Sequence, residues 1–191
     1  IAKHSGARSM HTIPHIQVDN ALYYITTNVY DRLALFTQPS TIIPIIDSLN
    51  YYRFKYRFLL TGYVIMPDHL HLLIWPQGED KLADIMRDFK KFTAVRLIRQ
   101  AQVESRSDWL DAFHKAGAET QRSQEKVWQD DYWDKLVYSP NVLRQKLNYL
   151  HRNPVRAGLV ESPEEYPYSS YRSYVCGDES LIQIDKEWIS W

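Results

Sequence analysis

The amino-acid sequence predicts an α+β fold: an antiparallel sheet of four strands with helices packed on it. Three observations lead there. Short segments rich in β-branched and aromatic residues read as strands. Longer segments repeat apolar residues at three- and four-residue steps and read as helices. Pro, Gly, Asn and Asp gather at the joins. The resulting order is strand, helix, strand, strand, helix, strand, helix.

Each element has a local reason. Ala21 to Tyr30 (ALYYITTNVY) is aromatic and β-branched, a first strand, and Asp31-Arg32 begins its exit. Pro39-Ser40 opens a helix that runs to about Arg57, with Ile42, Ile45, Ile46 and Leu49 as its stripe. Pro44 is placed in its first turn, where proline is tolerated. Phe58 to Met66 is a second strand, Pro67-Asp68 a tight break, and His69 to Trp75 a third strand, so the pair forms a hairpin. Pro76-Gln77-Gly78 ends it. Lys81 to about Val103 carries Leu82, Ile85, Met86, Phe89, Phe92, Val95 and Ile98 at helical spacing. Glu104 to Lys126 is polar and aperiodic apart from a short helical stretch at Trp109 to Phe113, and reads as a long surface connection. Trp128 to Tyr138 holds a fourth strand near its end. Ser139 caps a last helix, Pro140 suits its first position, and Asn153-Pro154 stops it. The tail offers one short strand, Leu181 to Ile184. The first six elements match the split βαβ, ferredoxin-like order.

Composition narrows the function. The 191 residues suit one domain. Lys plus Arg total 23 and Asp plus Glu total 23, and 45% of residues are hydrophobic, which excludes a disordered chain or a highly basic tail. One cysteine, Cys176, allows no internal disulfide and points to a reducing compartment. No apolar run reaches the roughly 18 residues that span a bilayer, and the N-terminus has no apolar signal core. Met10 reads as the native start, with residues 1–9 as an added leader, so His4 is left out of the functional reading. The expected division is an N-terminal extension at 1–15, one domain at 16–175 and a tail at 176–191. Of the aromatics, Trp128 and Trp133 are expected in the core. His114 and His151 are expected at the surface.

His69-Leu70-His71 is the first chemical constellation. On a strand, residues i and i+2 share a face at roughly 7 Å, so two imidazoles can converge on one divalent ion. A His-x-His can arise by chance in a chain with 7 His. Here the pair interrupts an apolar strand, where two unpartnered imidazoles would be costly; a metal or a polar cleft explains them better. Two His ligands leave open coordination positions, as in a catalytic site. Completed by oxygen donors, such a site suits Mn or Mg beside a phosphate. Asp68 is read as turn-forming or as supporting a ligand from outside.

Tyr149 and Asn153 form the second. Four residues apart, they share one helix face. Spacing alone favours a half-buried aromatic and a helix-stop residue.

The segments TGYVIMPDHLHLLI, VWQDDYWDKLVY and LNYLHRNPVRAGLV together resemble the single-tyrosine HUH transposases, and more closely the REP-associated tyrosine transposases. The likeness runs from Ile25 to Ser170. It implies His69 and His71 as ligands of Mg or Mn, Tyr149 as nucleophile on a C-terminal catalytic helix, and Asn153 as third ligand. The insertion-sequence branch carries Gln where this chain has Asn153. The connection at 104–126 is longer than in compact members. The implied reaction is site-specific cleavage of single-stranded DNA through a 5′-phosphotyrosine, releasing a 3′-hydroxyl that permits rejoining. A phenol, with a pKa near 10, needs help to attack at neutral pH. Such transfer keeps the phosphoester energy and uses no nucleotide cofactor; the chain also lacks a phosphate-binding Gly-rich loop. Implied partners are single-stranded or hairpin DNA of the REP type, and no membrane. A monomer is implied over a homodimer, with a cytoplasmic, nucleoid-associated place in a bacterium.

Charge is unevenly distributed. Arg87, Lys90, Lys91, Arg96 and Arg99 cluster with one acid, and Arg144, Lys146, Arg152 and Arg156 with none; Glu161 to Trp191 holds seven acids and two bases. Each cluster alone reads as a solvated helix face. Jointly they favour phosphate contacts by Arg87, Lys90, Lys91, Arg144, Lys146, Arg152 and Arg156. Two other readings stay open: a hairpin-DNA-binding protein that has lost cleavage, and an unrelated His-x-His hydrolase. The absence of any H-x-H-x-D-H or H-E-x-x-H pattern disfavours the hydrolase.

Overall fold

The order of the sheet, with the four strands in the sequence second, third, first, fourth, places the histidine-bearing third strand between two neighbours, which is what brings its side chains into a cleft. The structure is a computed structural model that describes residues 18–121, 123–177 and 181–186. The N-terminal extension at 1–15 lies outside the described residues. In chain order the elements are β1 (Leu22–Asn28), α1 (Pro39–Tyr56), β2 (Phe58–Met66), β3 (His69–Pro76), α2 (Leu82–Val103), α3 (Ser107–Thr120), β4 (Trp133–Val137), α4 (Pro140–Arg156) and α5 (Tyr171–Val175). All strand pairs are antiparallel. This is the predicted ferredoxin-like arrangement, with α3 and α5 added.

The two faces of the sheet bury different sets of side chains. Tyr23, Ile25, Leu70, Leu72 and Ile74 pack with Ile42, Ile45, Leu49, Ile85, Met86 and Phe89 of α1 and α2. Leu22, Tyr24, Val64, Met66 and Leu73 pack with Leu143, Leu147 and Leu150 of α4. β3 is therefore covered on both sides, and its near-continuous apolar run follows from that. Gly62 of β2 lets α4 approach: a Cβ there would meet Leu147 Cδ2 at 2.9 Å.

β2 and β3 join through Pro67-Asp68, with Met66 opposite His69. The preceding loop ties this turn down. Val29 N–H donates to Asp68 O at 2.9 Å and Phe36 N–H to Pro67 O at 2.8 Å. The outer edge of β2 is covered by Tyr168 and Ser170, and by Asp185, whose N–H donates to Leu60 O at 2.9 Å. β4 forms the opposite edge.

Several expectations are corrected. Residues 104–126 are not a surface connection: they contain α3, fourteen residues long, with Trp109, Phe113, Ala116 and Gly117 buried. Ala and Gly hid the stripe, because small residues carry little hydrophobic signal. On α2 the buried line runs through Phe89, Thr93, Leu97 and Ala101, leaving Phe92 and Val95 exposed. Thr93 can be buried because its hydroxyl donates to Phe89 O and accepts from Trp128 Nε1. Pro44 sits beyond the first turn of α1, which begins at Pro39. Leu181 to Ile184 forms no strand, although Ile182 and Ile184 join the core. Trp128 is buried as expected, but Trp133 is 53% exposed because it stands on an edge strand.

Asn153-Pro154 does not stop α4, which continues to Arg156. Pro154 forfeits one helical hydrogen bond to Leu150. Its buried ring and a closed C-terminus offset that loss: Gly158 N–H donates to Val155 O and Leu159 N–H to Pro154 O, both at 3.0 Å. This is a Schellman cap, and Gly158 at φ 70° is the residue that permits it. Among the described residues, no helix is long and apolar enough to cross a membrane.

Candidate active site

The segment after β1 (Arg32 and Ala34), the β2-β3 turn, the start of β3 and α4 meet in an open cleft of about 480 Å³. Strand alternation puts His69 and His71 on the α4 side of β3, and both rings are buried. Their Nε2 atoms lie 3.2 Å apart. Each ring is held from its far side. His69 Nδ1 meets Asp68 Oδ1 at 2.6 Å, and His71 Nδ1 meets Thr26 Oγ1 at 2.8 Å. An ionised carboxylate only accepts, so His69 carries its proton on Nδ1 and presents a bare Nε2 to the cleft. Asp68 is held in turn by Arg32, whose Nε lies 2.7 Å from Asp68 Oδ2. Asp31 and Arg32 take left-handed backbone at φ 52° and 58°, a strained turn that aims Arg32 at the site.

α4 supplies the other wall. The Asn153 amide reaches His71 Nε2 at 2.8 Å. Turning that amide end for end presents Oδ1 at the same place. The Tyr149 ring stands edge-on to His71, with centroids 5.7 Å apart, and is 41% exposed. Tyr24 of β1 stacks on His71 at 5.4 Å and meets Tyr149 edge-on at 6.2 Å. The Arg156 guanidinium lies 5.1 Å from the Tyr149 ring centroid, and Lys146 Nζ lies 5.0 Å from that of Tyr24.

Burial controls the protonation of these groups. It holds His69 below the ordinary imidazole range, partly offset by Asp68. His71 is pushed down to about 3 by burial and then by the charge of His69. Both rings are therefore neutral at pH 7, the form that ligates a cation. Burial, with a smaller contribution from Tyr149, keeps the Tyr24 phenol protonated.

The donor set fits a divalent ion. Two nitrogens 3.2 Å apart, each about 2.1 Å from one ion, would subtend about 100°, between tetrahedral and octahedral angles. Without a cation or a shared proton, two bare lone pairs would face each other. Among the described residues, no three His, Cys, Asp or Glu side chains group to hold an ion. Two imidazoles and the Asn153 amide would have to be completed by oxygens from substrate or water.

The predicted basic residues separate into two groups. Lys146, Arg152 and Arg156 lie within about 60° of Tyr149 around α4, whereas Arg144 is displaced by about 140°. Arg87, Lys90 and Lys91 belong to α2 on the opposite face of the sheet and are not brought to the cleft. Lys90 is occupied inside the protein, donating to the carbonyls of Gln129, Asp130 and Asp131. Arg87 bridges Asp84 and Asp88. His114 is exposed and faces Glu125, as expected of a surface residue. His151 is not at the surface: it is buried, its Nε2 is 2.9 Å from Ser170 Oγ, and it is held near a pKa of about 4 by burial.

Sequence reasoning missed Tyr24, Thr26 and Arg32. The signal was available only in part. Alternation puts Tyr24 and Thr26 on one face of β1, but their meeting with His71 depends on the Thr26–His71 register.

The family model described as Transposase IS200 like matches residues 17–127, a span that includes both histidines and ends before Tyr149. A Haemophilus influenzae protein named "Putative REP-associated tyrosine transposase" is 28% identical over 158 residues, covering 78% of this chain and 79% of that protein. The REP-associated tyrosine transposase of Escherichia coli is 25% identical over 131 residues, covering 67% of this chain and 62% of its own length. A solved structure of a REP-associated tyrosine transposase bound to a REP hairpin aligns with a TM-score of 0.64 at 19% identity, over 95% of this chain and 94% of that one. At that identity the likeness is one of fold.

Proposed function

This chain belongs to the IS200-like transposase family, and on that premise we propose that it cuts and rejoins single-stranded DNA at hairpin-forming repeats through a 5′-phosphotyrosine. The observation that carries the reading is the convergence of the His69 and His71 Nε2 atoms beside the half-exposed Tyr149 ring.

His69, His71 and Asn153 would hold Mg or Mn. When bound, the ion would neutralise and polarise the scissile phosphate. The chain's own residues do the rest. Arg156 and Lys146 bring positive charge to the approaching phosphate, with Arg152 further along the same face. Tyr149 Oη attacks phosphorus in line with the 3′ oxygen, the P–O3′ bond breaks, and the 5′ phosphate stays on the tyrosine. The phenol proton passes to solvent and the departing 3′ oxygen takes one up. Tyr24 packs His71 and Tyr149 from the sheet side and so fixes their spacing.

Both histidines, Asn153 and Tyr149 come from one chain, which supports action as a monomer. We assign the processing unit to residues 16–175, working on DNA in the bacterial cytoplasm. The relatives' names support REP-type palindromes as targets.

The test uses a hairpin oligonucleotide with single-stranded flanks, labelled at its 3′ end, with Mg or Mn. The expected result is label covalently on the protein; 5′-labelled DNA gives a free fragment ending in a 3′-hydroxyl. Binding without cleavage would replace this reading by that of a hairpin-DNA-binding protein. A hydrolysed 5′-phosphate product with no adduct would assign the cleft to a hydrolase.

A further inference from the structure

β4 carries an aromatic and a cationic side chain beside the cleft, Trp133 and Lys135, that the reaction above does not use. Trp133 is paired with Thr26, and Thr26 with His71, so all three belong to one row across the sheet. In the next row Lys135 pairs with Tyr24. Directly opposed residues share a face, so Trp133 and Lys135 stand on the same side as Tyr149. The separation of Trp133 from His71 is two strand spacings, roughly 10 Å. α4 covers β2 and β3 there but leaves Trp133 53% exposed.

The charges around this indole are arranged for a backbone passing over it. Lys135 Nζ sits 5.0 Å from the Trp133 ring centroid, and Lys146 Nζ 5.0 Å from that of Tyr24. Burial, and then the nearby charge of Lys135, lowers the Lys146 ammonium below the ordinary lysine range. Neither has a carboxylate partner among the described residues. Two unpaired ammonium groups held together beside an exposed tryptophan call for an anion that also carries a flat apolar group. An unpaired nucleotide meets both demands. A duplex does not, because its bases are already stacked.

We propose that Trp133, Lys135 and Lys146 form a subsite for one unpaired nucleotide flanking the cleavage point, the base stacked on the indole and its phosphates between the lysines. This rests on the DNA-processing reading of the cleft and adds where the single strand runs: along β4 toward Tyr149.

The experiment measures the affinity of Tyr149→Phe protein, with Mg, for a hairpin with and without single-stranded flanks. The flanks should tighten binding about tenfold or more, the range of one base stacked on an aromatic ring. Trp133→Ala should abolish that gain while leaving the bare hairpin bound as before, and Trp133→Phe should keep most of it. Lys135→Ala and Lys146→Ala should each lower the slope of log affinity against log salt by about 0.7. Equal affinity for flanked and bare hairpins in the parent protein overturns the proposal. So does a full flank effect in Trp133→Ala. A dimer of the parent protein that Trp133→Ala dissociates, with the flank effect intact, overturns it in favour of an interface. The assay reads binding alone, so a failure of the cleavage reading shows separately, as a missing adduct.

Discussion

Asp68 and His69, adjacent in the chain, are joined by a 2.6 Å contact between Oδ1 and Nδ1, although the two residues belong to different elements, the turn and the strand. That contact decides which nitrogen of His69 faces the cleft. It also ties the site to Arg32, which holds the other Asp68 oxygen. The orientation of the His69 ring is built by the hairpin turn and by the strained segment that packs against it.

Asp68→Asn keeps the shape and removes the charge. An amide can present its NH2 to Nδ1 and turn the His69 tautomer over, leaving the proton on Nε2. Metal affinity and cleavage rate should each fall about 10- to 100-fold, the usual cost of losing such a support. Calorimetric titration with Mn and single-turnover cleavage check it. Unchanged Mn affinity would show that Asp68 serves the turn alone.

His151 makes stability depend on pH. Its pKa is about 4 in the folded chain against an ordinary 6.5. Between those values the unfolded chain binds a proton that the folded chain excludes, so stability is full above pH 6.5 and lost as pH falls toward 4. The loss from this residue is about 3 kcal/mol. His151→Leu should flatten the acid limb by that amount in denaturant titrations at pH 7 and pH 4. His69 and His71, also lowered by burial, keep their own share of the slope.

Gly117→Ala should cost about 1–3 kcal/mol. A Cβ there would lie 2.4 Å from Gln124 O, a backbone atom that cannot swing aside. α3 belongs to the core on the face opposite Tyr149, so cleavage per folded molecule should be unchanged. Urea midpoints and cleavage assays on the same samples separate the two effects.

The parts of this molecule that could be read from its sequence are those governed by local signals. The His69–His71 pair on a buried strand follows from alternation, and the start of α4 from Ser139, whose hydroxyl accepts from Val142 N–H at 3.3 Å. α3 escaped because two of its four buried residues, Ala116 and Gly117, pack by being small. Lys90 was misplaced because basic charge on a helix does not say which face of the sheet that helix covers. His151 and Trp133 exchanged their expected environments for the same kind of reason: burial at either position is set by what packs there from elsewhere in the chain, Ser170 for one and, among the described residues, no fifth strand beside β4 for the other. The support of His71 by Thr26 likewise needs the strand register.

The central claim is that Tyr149 bonds to DNA beside the two-histidine site, and mass spectrometry of the trapped adduct tests it most directly. After nuclease trimming and proteolysis, the nucleotide mass should be carried by the peptide containing Tyr149, and Tyr149→Phe should yield no adduct while still binding the hairpin. A nucleotide found on another residue, such as Tyr24 or Tyr138, or an undiminished adduct in Tyr149→Phe, would contradict the account.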